Sequence, residues 1–351
     1  MKQHFHKFTL LATTLLLALA AHATETSLKA EFTVLKRFPL AGEGGCDYLT
    51  VDAPHHHLFI SRSTHVQVMD TNTGALVGDI LNTPGVHGIA LAPQFDKGFI
   101  SNGRDNSVTV ISLSTLATLN KIATPEGKKP DFIFFEPSTE DVYVFNGQSN
   151  NATVIDAKTD QIKGTVALSG KPEAAVSDLN GSVYVALEDK NAVAKIKQST
   201  LLEAAVFKVP HCDEPAGLAI SQTTKELFVG CHNKGLYLVD SQTGKTLSKS
   251  RIGEDVDANA FDGKTNLVFT SQADSTFTVT QYLPKSKGHS KLKAKQTLIT
   301  PKGSKTLAYD PEAQLIYLVS AQFESVKNAE GVAKKQVIPN SAEVLVIGAQ
   351  K

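Results

Sequence analysis

Val142-Tyr143-Val144-Phe145-Asn146 is followed, after a short polar break, by Asn151-Ala152-Thr153-Val154-Ile155-Asp156-Ala157-Lys158-Thr159-Asp160 and then by Ile162-Lys163-Gly164-Thr165-Val166. Apolar residues recur at every second position in each run, the period of a strand with one face in a core. The second run passes through Asp-x-x-Thr into the third, a turn in which the Asp and Thr oxygens can hold backbone amides. The stretch therefore reads as three strands of an antiparallel meander.

Variants of it fill the chain. Strands that would pair ahead of the quoted one begin at Cys46, Val86, Pro130, Pro172, Pro215, Val256 and Ser304, 40 to 48 residues apart. Each is followed by a second apolar run, such as Leu58 to Ser61, Val183 to Ala186 or Ile316 to Val319, and then by a third, most plainly Val66 to Asp70 and Leu236 to Asp240 with their hairpins. Four short antiparallel strands at this period make a propeller blade, and seven copies predict an all-β, seven-bladed β-propeller. The last copy runs out at its third strand, Val344 to Ile347, while Phe32 to Leu40 stands alone ahead of the first. Pairing these two would close the ring and remove its open edges, so the last blade is expected to draw on both ends of the chain. Two polar insertions, 285–295 in the hairpin of the sixth blade and 324–341 between strands two and three of the seventh, read as solvated loops.

Lys2 and Lys7 precede an apolar run from Phe8 to Ala20 and then Ala21-His22-Ala23. This is the pattern of a signal peptide over 1–23, with a propeller domain over 24–351 exported to a periplasm or secreted. The run is shorter than the ~20 apolar residues that span a bilayer. The 35 Lys and Arg balance 35 Asp and Glu, so no global charge draws the protein to nucleic acid or an anionic membrane.

Three cysteines allow one internal bridge and leave one thiol. Cys212 precedes the fifth blade and Cys231 follows its second strand, which places both on one face; a disulfide is the leading reading in an oxidising compartment. The alternative is a metal site with His211 and His232, although the spacing matches no short zinc motif. Cys46 is then the odd thiol, read as a small buried residue. His55-His56-His57 falls in a turn on the opposite face and reads as solvated. No Ser-His-Asp signature, Gly-rich phosphate loop or haem-attachment motif is present.

In a propeller the loop before each first strand and the loop between strands two and three surround one mouth of the central channel. The residue after each blade's start is Asp47, His87, Asp131, Glu173, Ala216, Asp257 or Lys305, six of seven ionisable. The second set of loops adds Arg62, Asn102, Arg104, Asn146, Glu188, His232, Gln272, Gln322 and Glu324. One reading is an ordinary polar lining bound to water and to itself, in which crowded carboxylates perturb one another. The other is a ligand site, or a divalent-cation site in which Asp47, Asp131, Glu173 and Asp257 with Asn102 or Asn146 supply the oxygens Ca²⁺ prefers.

Val142-Tyr143-Val144 and Thr153-Val154-Ile155-Asp156 resemble the YVTN β-propeller repeats of surface-layer-type and YncE-like periplasmic proteins, and the resemblance spans essentially all of residues 24–351. It implies an exported binding protein; a monomer is expected. A single-stranded DNA-binding role has been proposed within that group, but no motif here carries it, and an acidic mouth opposes phosphate. Binding of a small ligand or protein partner without catalysis, with no required cofactor, is thus weighed against a metal-dependent hydrolase of the lactonase kind. Six-bladed lactonases use such a carboxylate cluster, but neither blade count nor local sequence matches them.

Overall fold

The computed structural model describes residues 31–285, 288–327 and 333–350. The expected signal peptide lies outside them. Between Glu31 and the C-terminus the chain forms seven four-stranded antiparallel sheets. Among the described residues there is no α-helix, only the short 3₁₀ turns Pro93–Phe95 and Glu188–Lys190, and no helix long and apolar enough to cross a membrane.

The quoted stretch is blade three. Its strands run Pro130–Glu136, Asp141–Asn146, Asn151–Asp156 and Ile162–Ala167, with Val142 opposite Ile155 and Val144 opposite Thr153. Alternate residues of its two central strands face neighbouring blades on opposite sides: Tyr143, Phe145 and Val154 pack on Val183 and Val185 of blade four, while Val142, Val144 and Ile155 pack on Phe99 and Val110 of blade two. This explains why the central strands are buried on both faces. Seven such apolar clusters fill the seven interfaces between neighbouring blades. Each fully buried Val, Leu, Ile or Phe contributes roughly 1.5–3 kcal/mol by leaving water.

The ring closes as the chain ends predicted. Phe32–Leu40 pairs antiparallel with Ala342–Ala349, from Phe32 opposite Ala349 to Leu40 opposite Ala342, completing a sheet with Leu315–Ser320 and Leu307–Asp310. The Asp-x-x-Thr hairpins also form as read: Asp70 Oδ1 accepts from the Thr73 amide and hydroxyl, both at 2.8 Å, and Asp156 repeats this with Thr159 at 2.8 and 2.9 Å.

The two insertions are more structured than solvated loops. Lys291–Ile299 is the outer strand of blade six and absorbs part of the first insertion. The second contains an antiparallel hairpin of its own, Phe323–Lys327 against Ala333–Val337. The β-branched and aromatic residues at Phe323, Val326 and Val337 were the signal for it.

Candidate functional site at the channel mouth

Cys212 and Cys231 are bridged, with Cα atoms 5.4 Å apart, which clamps the mouth-side loop ahead of blade five to the end of that blade's second strand. His211 and His232 are not drawn in as metal ligands. His232 Nδ1 lies 2.9 Å from Glu214 Oε2, and the His211 carbonyl accepts a hydrogen bond from the Tyr237 hydroxyl.

The mouth side chains owe their position to a backbone irregularity that the repeat reproduces. In blade two, Val86 pairs with Asn102 but the next pair is Ile89 with Ile100. The same slip follows Pro130, Pro172, Pro215 and Val256 in blades three to six. A β-bulge leaves extra residues unpaired and re-aims their side chains. The bulged residues are His87, Asp131, Glu173, Ala216 and Asp257, and in blades one and seven Asp47 and Lys305 sit two residues ahead of the paired strand. One side chain per blade is thus set at the mouth, by a bulge in five blades and by the incoming loop in the other two.

Those side chains meet across blade boundaries. Lys305 Nζ lies 3.2 Å from Asp257 Oδ1 and 3.8 Å from Asp47 Oδ1. His87 Nδ1 lies 2.6 Å from Asp47 Oδ2 and 3.3 Å from Asp131 Oδ1. The sequence of charges Asp257, Lys305, Asp47, His87, Asp131 therefore alternates in sign over five blades. Lys129 Nζ adds a contact to Asp131 Oδ2 at 3.7 Å, and Lys171 pairs with Glu188 and lies 3.8 Å from Glu173. Neither lysine stood among the expected residues, yet both sit two positions ahead of a mouth carboxylate, in Lys129-Pro130-Asp131 and Lys171-Pro172-Glu173. This recurring Lys-Pro-acid triplet was the readable signal.

The other expected residues divide. Arg62, Asn102, Asn146 and Gln272 are fully buried inside their blades. Asn102 Nδ2 donates to Ser107 Oγ and Thr109 Oγ1, and Asn146 Nδ2 donates to Asn151 Oδ1 and Thr153 Oγ1. Gln272 Oε1 accepts from Thr276, and Arg62 donates to Gln67 Oε1 and the Gly44 carbonyl. These four brace strand two to strand three or to the incoming chain, and do not reach the axis. Arg104 is exposed beside Cys46, Asp47, His87 and Lys129, around a cavity of about 490 Å³. Gln322 and Glu324 are exposed near the second insertion.

The electrostatics of the ring are uneven. Burial works against the charge of Asp47, but the hydrogen bond with His87 and the nearby Lys305 outweigh it and hold the carboxyl below its ordinary value. His87 is pushed up by Asp47 and Asp131 in spite of its burial, and Lys305 is raised chiefly by Asp257. The opposite holds for Asp131 and Asp257, which burial raises above the usual carboxylate range. Glu173 is raised to about 8, through burial first and then the charges of Asp131 and Glu188. Asp257 Oδ2 is buried without a hydrogen-bond partner among the described residues.

Behind the mouth lies an axial cavity of about 460 Å³, lined by inner strands of all seven blades. Its wall is apolar apart from Asp257, Thr50 and Asn259, and Tyr48 and Phe132 meet edge to face across it with ring centres 5.7 Å apart. The site is a charged rim over a greasy well.

No protein-family model and no curated protein matches the sequence. Solved structures do. A chain of Kuenenia stuttgartiensis hydrazine synthase superposes with a TM-score of 0.68 at 14% identity, over 84% of this chain and 96% of that one. U3-55K gives 0.70 at 13%, over 90% and 98%, and a chain of the mitotic checkpoint complex 0.72 at 11%, over 97% and 100%. At such identities the likeness is one of architecture: the chain shares its fold with these proteins, and that fold is a seven-bladed β-propeller.

Proposed function

We propose that this protein is an exported, YVTN-type propeller that binds, without catalysis, a small molecule carrying a positive charge, with the charged group at the mouth and the body in the axial cavity. The observation behind this reading is the arc of Asp131, Glu173 and Asp257, carboxylates at the opening of an apolar well that burial raises above their ordinary values in spite of the lysines and histidine beside them. An ammonium or guanidinium group placed between Glu173 and Asp257 relieves repulsion that the protein's own lysines leave in place. Ala216 stands between those two acids and keeps the gap open. Tyr48 and Phe132 below offer aromatic faces to a cation or its apolar substituent, and the cavity's volume suits a metabolite-sized ligand. Export is supported by the Lys2 to Ala23 pattern and by the Cys212–Cys231 bridge.

The test is a calorimetric and thermal-shift screen of the mature chain against amines, guanidines and matched neutral analogues. Amines should raise the melting temperature, and Glu173→Gln with Asp257→Asn should abolish the response. Equal response to the neutral analogues, or an unchanged amine response in the double variant, would rule the mouth out as a cation site.

A further inference from the structure

We infer that Asp47, His87 and Asp131 form a binding site for one divalent transition-metal ion, on the side of the mouth formed by blades one to three. Among the described residues they are the one group of three or more His, Cys, Asp or Glu side chains whose ligating atoms all lie within 4.8 Å of one another. Their chemistry is mixed: one imidazole nitrogen and two carboxylate oxygens. That set suits zinc or manganese better than calcium, which takes oxygen ligands almost alone.

Three further features fit a metal. Each carboxylate turns one oxygen to His87, Asp47 through Oδ2 and Asp131 through Oδ1, while a lysine stands near the other, Lys305 at 3.8 Å and Lys129 at 3.7 Å. Outer-shell partners of this kind orient ligands around a metal. Asp131 is only 8% exposed, yet among the described residues its carboxylate accepts no hydrogen bond of normal geometry; the His87 contact at 3.3 Å is its nearest. A buried carboxylate left in that condition is expensive to the fold unless something else binds it. Finally, the His87 ring lies against Gly103, where a Cβ would come within 3.0 Å of both Cδ2 and Nε2, so the backbone is shaped to admit the ring on that side. Asp47 and His87 line the 490 Å³ cavity beside Cys46 and Arg104, which gives an ion a route to the site.

The inference rests on the mouth being the binding surface and shares Asp131 with the acidic arc proposed for amines; because the amine test removes Glu173 and Asp257 and the metal test removes His87 or Asp47, the two can still fail separately. The mature chain, stripped with chelator, is dialysed against Zn²⁺, Mn²⁺ and Ca²⁺ in turn, and bound metal is counted. One equivalent of Zn²⁺ or Mn²⁺ is expected, with Ca²⁺ at least tenfold weaker. His87→Asn and, separately, Asp47→Asn should each weaken binding at least tenfold while the metal-free proteins stay folded, with Asp47→Asn somewhat less stable than the parent because its ion pairs with His87 and Lys305 are lost. Replacing His55, His56 and His57 by Ala, or Cys46 by Ser, should change nothing. Absence of a bound equivalent in the parent, retention of it in both ligand variants, or its loss in the His55–His57 or Cys46 variants would overturn the assignment. The amine response should survive His87→Asn; if it is lost while metal binding persists in the Glu173 and Asp257 double variant, the metal site stands and the amine reading falls.

Discussion

The blades carry carboxylates at both ends, and the two sets live under opposite electrostatic conditions. On the face away from the mouth, Asp70, Asp156 and Asp240 cap the hairpins into the outer strands. Each is held below its ordinary value: Asp70 first by the Thr73 hydroxyl, Asp156 first by the Thr159 amide, and Asp240 by the amide and hydroxyl of Thr243 against some burial. At the mouth, Asp131, Glu173 and Asp257 are pushed the other way, chiefly by burial. The same functional group is satisfied by its own turn at one end, and at the other is buried beside lysines and a histidine that do not bring it back to its ordinary value. The lesson is where to look for function in a repeat fold: carboxylates that the local backbone satisfies build the blade, and those it leaves unsatisfied are free to hold something else.

The largest effect should come from removing the clamp that secures the mouth side of blade five. Replacing Cys212 and Cys231 by Ser should lower stability by about 3 kcal/mol, the chain-entropy value for a loop of this size, and lower the melting temperature accordingly. A loss of stability without any loss of mouth binding would show that the clamp supports the ring and not the site.

Next come the hairpins. Asp156→Ala removes two charge-assisted hydrogen bonds and should cost about 1–3 kcal/mol, with no change in ligand or metal binding. The sign with pH follows from the lowered value: this contribution is present above the ordinary carboxylate range and is lost as pH falls through the lowered folded-state value. Denaturant titrations of parent and variant should therefore converge in acid. Curves that stay parallel would mean that Asp156 is not held down by its turn.

Glu173→Gln should do the reverse. Because the folded protein keeps Glu173 protonated up to about 8, the folded state binds the extra proton and stability falls as pH rises from the ordinary glutamate range to about 8. An amide at this position does not titrate and lacks that slope, so the variant should gain stability near pH 8, by at most about 5 kcal/mol at about 1.4 kcal/mol for each unit between the ordinary glutamate value and about 8, and gain nothing at pH 4. A destabilised variant at pH 8 would show Glu173 serving the fold as the hairpin aspartates do.

How much of this was legible in the sequence follows from the same contrast. The fold was written in features that repeat: period-two apolar runs, Asp-x-x-Thr turns, and the orphan strand Phe32 to Leu40 that matches the missing fourth strand of the last blade. The mouth ring was legible too, because Asp47, His87, Asp131, Glu173, Asp257 and Lys305 occupy one phase of the repeat. The burial of Asn102, Asn146, Gln272 and Arg62 was not. They sit where strand two leaves the sheet, and whether such a side chain turns to the axis or back onto strand three depends on hydroxyl partners such as Ser107, Thr109 and Thr153 on another strand. The bulges were equally hidden, since a slip in register changes pairing without changing the apolar pattern around it. Lys129 and Lys171 were in plain view two residues ahead of their acids.

The contrast between the two ends can be measured in one sample. Carboxyl carbon NMR of residues 24–351, labelled at Asp and Glu and titrated from acid to mild alkali, resolves Glu173 and Asp156 by comparison with Glu173→Gln and Asp156→Ala. Glu173 should titrate near 8 and Asp156 below the usual aspartate range of about 3.9. If both titrate at ordinary values, the mouth carboxylates are as well satisfied as those of the hairpins, and the case for a cation site there is gone.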